Sequence, residues 1–114
     1  MKTITLLTKP ISINQKYGII NGRNLLTKAY RDAKYDLALE TRSQWTTEPL
    51  SVPLALNIMF YYGDNRKRDI DAYIKILLDA MEGVVYENDV LIEEMHVFKL
   101  KDVDNPRTVV QVLH

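Results

Sequence analysis

Three carboxylates and one ammonium group have the types and spacing that chemistry needs. Asp69 and Asp71 stand two apart in Arg68-Asp69-Ile70-Asp71, Lys75 follows four residues after Asp71, and Asp89 lies beyond the next apolar run. If the chain is still extended at Asp69, two carboxylates at this spacing point to the same side and can share a hard cation. Magnesium takes oxygen ligands at roughly 2.0–2.1 Å and keeps several waters, so two or three carboxylates suffice. Once the helix has begun, Asp71, Lys75 and Asp79 recur every four residues on one face, which sets the Lys75 ammonium one turn beyond the acids. The same pattern has a purely structural reading, in which an aspartate caps the helix start and the i,i+4 charges form surface ion pairs.

Several elements must position these groups. Residues 70–81 carry the clearest helical stripe, Ile70, Tyr73, Ile74, Leu77, Leu78 and Met81, and Gly83 is placed to end it. From Asp71 to Met81 such a helix advances ~15 Å at 1.5 Å per residue. The segment from Gly83 to Asp89 extends to roughly 23 Å, enough to return beside the helix and bring Asp89 near Asp69 in the same subunit. Without that return, Asp89 reaches only a partner's site. Upstream, residues 53–62 (Pro-Leu-Ala-Leu-Asn-Ile-Met-Phe-Tyr-Tyr) predict a central strand with Leu54, Leu56, Ile58 and Phe60 on one face.

Residues 3–8 predict a first strand closed by Pro10. Asn21-Gly22 between apolar pairs predicts a two-residue hairpin over about Lys16–Leu26. Thr27 then caps a helix carrying Ala29, Tyr30, Ala33 and Leu37, which ends before Pro49. Residues 90–100 and 107–113 predict a final hairpin across Asp102-Val103-Asp104-Asn105-Pro106. The fold class expected is α+β: one domain over residues 1–114, a mixed β-sheet with hairpins and two helices packed on it.

Bulk composition narrows the chemistry. The 114 residues suit one globular domain, with 46% hydrophobic and 26% charged residues. Cysteine is absent, which removes disulfides, thiol nucleophiles and cysteine zinc sites. Two histidines are too few for a zinc cluster, and His96 reads as a packed or surface residue of a strand. The four glycines form no phosphate-cradling loop, and no serine sits in a nucleophile elbow. Trp45 reads as a cap on the core. No apolar run approaches the ~20 residues that span a bilayer, so a cytoplasmic location without membrane contact is expected.

Net charge is zero, with 15 basic and 15 acidic residues, but the signs are segregated. Residues 1–35 carry Lys2, Lys9, Lys16, Arg23, Lys28, Arg31 and Lys34 against Asp32 alone, while residues 76–105 carry eight acids against Lys99 and Lys101. That asymmetry points to a polyanion partner, or to scattered solvated charges.

Read together, Arg68-Asp69-Ile70-Asp71, Lys75, Leu78-Asp79-Ala80-Met81 and Asn88-Asp89-Val90-Leu91-Ile92 resemble the hallmark of the RusA-type crossover-junction endodeoxyribonucleases. Pro10-Ile11-Ser12-Ile13-Asn14-Gln15-Lys16-Tyr17 resembles that family's Pro-x-Ser-x-Asn-x-x-Tyr opening. The resemblance implies a Mg²⁺-dependent enzyme (Mn²⁺ as a substitute) that resolves Holliday junctions by paired phosphodiester hydrolysis. It makes Asp69, Asp71 and Asp89 the metal ligands and Lys75 the catalytic lysine. It also implies a homodimer acting on branched DNA, encoded by a prokaryotic cell, prophage or virus. Lys16, Arg23, Lys28, Arg31, Arg66, Lys67 and Arg68 are then the expected contacts to backbone phosphates.

Two positions depart from the family pattern: Ala72 where Asn is usual after the second Asp, and Asn88 where an Asp often precedes the third. They support the competing expectation, a catalytically weak DNA-binding or scaffold protein with the same fold. A small-molecule metal enzyme is disfavoured because so short a chain shows no pocket-forming loops.

Overall fold

A computed structural model describes residues 1–114. Its central element is β4 (Leu54–Tyr62), where Leu54, Leu56, Ile58 and Phe60 alternate into the core at no more than 3% exposure. β4 pairs antiparallel with β6 (Arg107–Leu113), which pairs antiparallel with β1 (Lys2–Leu6). On its other side β4 pairs parallel with β5 (Ile92–Lys101), giving the sheet order β1-β6-β4-β5.

β2 (Tyr17–Ile20) and β3 (Arg23–Leu26) form a separate two-stranded sheet. Their turn is the expected one: Asn21 and Gly22 both hold positive φ, 52° and 75°, as a type I′ turn demands. α1 (Lys28–Gln44) begins at Thr27, whose hydroxyl accepts from the Tyr30 amide at 3.2 Å. It buries Tyr30, Ala33, Leu37 and Thr41 against α2 (Ile74–Met81) and β1. α2 buries Ile76, Leu77, Ala80 and Met81, and Gly83 takes φ 82° just past its end. Trp45 caps α1 at 5% exposure, with the Lys2 ammonium 4.6 Å from its ring.

Three expectations are corrected. The last two strands do not form a hairpin: β4 lies between β5 and β6, and the 102–106 connection crosses the end of β4, where the Asp102 amide donates to the Tyr62 carbonyl at 2.8 Å. β4 and β6 are both paired along both edges, and each buries alternate residues on one face. The sheet is also not single, since the hairpin stands apart from it. Finally, α2 starts at Ile74 and not near Ile70; residues 70–73 form turns, and Ile70 is 47% exposed. The Ala72 carbonyl there accepts from the Ile13 amide at 2.8 Å, a tertiary bond to the short 3-10 turn Ile13–Gln15.

Candidate nuclease site

The link between β4 and α2 holds Asp69 and Asp71 and is tied down by its own side chains. The Asp64 carboxylate accepts both guanidinium nitrogens of Arg68, at 2.8 and 3.1 Å, and the Arg66 amide at 3.0 Å. The Arg68 fork holds the Asp64 carboxyl at about 2, and Asp64 in turn raises Arg68. Arg68 also lies 4.2 Å over the Tyr62 ring. From β5, Lys99 donates to the Arg68 carbonyl and Lys101 to the Asn65 side chain, both at 2.6 Å.

This anchored link presents Asp69 and Asp71 to solvent. Both are exposed, and neither takes part in an ion pair or a side-chain hydrogen bond. Asp69 lines a polar cavity of about 280 Å³ with Ser12, Asn14, Arg66, Lys67, Arg68 and neighbours. The Ser12-Ile13-Asn14 stretch of the opening motif thus reaches the acid-bearing turn, through the Ile13 to Ala72 bond. Ser12 and Asn14 are cavity walls that the spacing of charged residues alone does not reveal.

Asp89 begins the second 3-10 turn, Asp89–Leu91, whose cap is Asn88: its side chain accepts from the Val90 amide at 3.0 Å. Residues 83–89 turn back against α2, where the Tyr86 hydroxyl donates to the Leu78 carbonyl at 2.7 Å and the Asp89 charge acts on Lys75, but Asp89 does not join Asp69 and Asp71 in one metal-holding group. β5 then starts at Ile92, level with Leu54 at the beginning of β4. Within the chain, no three acidic or imidazole side chains lie close enough to hold a metal ion. The donor type nevertheless fits a hard cation: the free groups at the turn are carboxylate oxygens, and magnesium is commonly held by one or two carboxylates plus waters and substrate phosphate.

Lys75 does not pair with Asp71. Its ammonium contacts Asp79 at 3.0 Å, and Asp79 also receives the Tyr30 hydroxyl at 2.9 Å and faces Lys16 at 3.8 Å. The Asp79 hydrogen bond is the main reason Lys75 is raised, with the Asp89 charge adding to it. Burial opposes ionisation of Asp79, but Lys75, Tyr30 and Lys16 together prevail and hold its carboxyl below the ordinary range. Burial, and then Asp79, push the Tyr30 hydroxyl up. The i,i+4 spacing signals Asp79 as a partner of Lys75, whereas Tyr30, 49 residues away, leaves no such sign.

The expected phosphate contacts divide in two. Arg23, Arg31, Arg66 and Lys67 are exposed and unpaired, and Lys28 is exposed beside Asp32 at 2.9 Å. Lys16 and Arg68 turn inward, with side chains 15% and 7% exposed, and serve the Asp79 cluster and the loop. His96 is an exposed partner of Glu94 at 2.8 Å, far from any role as a base.

An α+β sheet whose parallel β4-α2-β5 unit carries an exposed two-aspartate turn, with a protonated lysine on the following helix, is a frame for phosphate chemistry. The endodeoxyribonuclease RusA family model matches residues 8–113, and the chain belongs to that family. A curated relative, the crossover junction endodeoxyribonuclease RusA of Aquifex aeolicus (strain VF5), is 38% identical over 61 residues, 53% of this chain and 48% of that protein. The match therefore spans about half the length of that relative.

Proposed function

We propose that this chain is a divalent-metal-dependent endodeoxyribonuclease that resolves four-way DNA junctions by cutting two opposed strands. The observation that carries the reading is the contrast among its acids. Asp64 and Asp79 are fully engaged by the fold, while Asp69, Asp71 and Asp89 make no ion pair or side-chain hydrogen bond, and the Asp89 charge reaches a lysine held protonated. Asp69 and Asp71 would hold Mg²⁺ or Mn²⁺, with Asp89 joining once DNA and a second copy are in place. The ion, when bound, supplies activation of water and stabilisation of the leaving oxygen. Lys75 keeps its proton and offsets charge building on the phosphate. Arg23, Arg31, Arg66 and Lys67 contact backbone phosphates and fix the register of the strands.

A homodimer matches the near two-fold symmetry of a four-way junction. Two surfaces support it. The hairpin exposes Tyr17, Ile19, Ile20 and Leu25, and the sheet face away from the helices exposes Phe98 and Leu100. No helix of the chain is long and apolar enough to cross a membrane. The competing reading, a DNA-binding scaffold with a weak site, is favoured by the failure of three acids to converge within one chain.

One assay separates the two: cleavage of a synthetic four-way junction by the purified protein, with Mg²⁺ and with excess EDTA. Paired nicks with Mg²⁺ and none with EDTA are expected. Binding without cleavage under both conditions overturns the enzyme in favour of the scaffold.

A further inference from the structure

Where β4 ends, a second cavity of about 350 Å³ opens beside the acid-bearing turn. Its floor is Phe60, 1% exposed, and its walls are Tyr62 and Tyr73. Phe60 and Tyr62 lie nearly parallel, 15° apart with centroids at 6.2 Å, and Tyr73 tilts across both at 6.1 and 6.2 Å. Val103 and Pro106 line the opening, Lys9 adds positive charge, and Arg107 is tied to Asp102 at 2.9 Å. This cavity and the polar one at Asp69 share Arg68 and Tyr73, so they form one continuous surface.

Resting on the nuclease reading above, we propose that this aromatic cavity receives one unpaired nucleobase, that of a nucleotide flanking the phosphate held at Asp69.

Size, chemistry and position support it. The volume falls at the lower end of the ~300–1,000 Å³ of small-ligand sites, which suits one base and excludes a larger group. Aromatic walls accept any base because every base offers a π face, and Lys9 at the lining suits an adjoining phosphate. Burial pushes the Tyr62 hydroxyl up to about 12, so it stays protonated and can donate to a base carbonyl or ring nitrogen. Unstacking a base costs least where pairing is already interrupted, as at the crossover of a branched duplex. A base seated there fixes which phosphate reaches Asp69, so the cavity would set the position of the cut.

The test uses synthetic four-way junctions, each with 2-aminopurine at one nucleotide near the crossover and a dye on a distant arm, in EDTA so that no strand is cut. Dye anisotropy reports binding, and 2-aminopurine emission reports where a base leaves the stack. One position on each of two opposed strands should change several-fold in emission on binding. Val103→Trp should plug the mouth; Val103 is 62% exposed, so the thermal midpoint should hold. That variant should lose the emission change and bind about 5- to 100-fold more weakly, the range for one stacked base. Tyr73→Ala should act likewise. Binding with no emission change at any position, or Val103→Trp behaving as wild type, overturns the pocket and leaves the nuclease reading standing. Absence of any junction binding removes both.

Discussion

The middle of α2 and the turn just before it carry the same residue type and use it in opposite ways. On α2, Asp79 is satisfied three times over by Lys75, Tyr30 and Lys16, and its charge is part of the packing between α1 and α2. In the turn, no side chain answers Asp69 or Asp71. A carboxylate with partners stabilises the fold, whereas an unpartnered, exposed carboxylate on an anchored loop adds nothing to the packing. Acids of the first kind should be costly to fold stability when replaced, and acids of the second kind costly only to activity.

The largest effect expected is in Lys75→Ala. If Lys75 offsets charge on the reacting phosphate as proposed, its loss should lower the rate of junction cleavage about 10²- to 10³-fold. Because Lys75 is half-exposed and its tie to Asp79 is replaceable by water, the thermal midpoint should move little. A large drop in midpoint with the rate preserved would make Lys75 a structural residue.

Asp79→Asn comes next and should do the reverse. It removes the charge from a cluster in which three groups converge, at an expected cost of about 1–3 kcal/mol in chemical denaturation. The pH dependence follows from the sign of the shift. A carboxyl lowered in the folded state adds stability above its unfolded value, and that stability is lost as pH falls through the folded value. Wild type should therefore lose stability more steeply than Asp79→Asn below about pH 4. Identical acid limbs would show that the cluster carries no net stabilisation.

A smaller effect concerns binding. Arg66→Ala and Lys67→Ala should each lessen the slope of junction affinity against salt by about one counterion. An unchanged slope in both would move the DNA path away from this loop. The smallest is Gly22→Ala in the hairpin turn. Gly22 holds φ 75°, where a Cβ is strained though no atom lies within 4 Å, so a loss of about 1 kcal/mol is expected without change in cleavage rate.

Local signals in the sequence gave the local structure. Asn21-Gly22 located the hairpin turn, Thr27 the start of α1, and the Leu54, Leu56, Ile58, Phe60 alternation the central strand. What failed was non-local. An apolar run has the same appearance whether its neighbour is the next strand or an earlier one, so nothing near residues 90–113 shows that β4 inserts between β5 and β6. The stripe ending at Met81 extended falsely back to Ile70, because the bond from the Ile13 amide to the Ala72 carbonyl holds residues 70–73 as turns. At the site, charge spacing marked Asp69, Asp71, Lys75 and Asp89. It could not show that Tyr30 secures Asp79, that Arg68 faces inward, or that no three acids gather into one metal-holding group within the chain.

Asp71→Asn tests most directly whether the unpartnered acids belong to chemistry. Asn keeps nearly the same shape, and no ion pair is lost, so stability should stay within about 1 kcal/mol of wild type. Cleavage of a four-way junction in Mg²⁺ should collapse, while junction binding persists or tightens as repulsion of phosphate falls. An Asp71→Asn protein that cuts junctions at the wild-type rate would contradict the account and leave Asp69 and Asp71 as solvated turn residues.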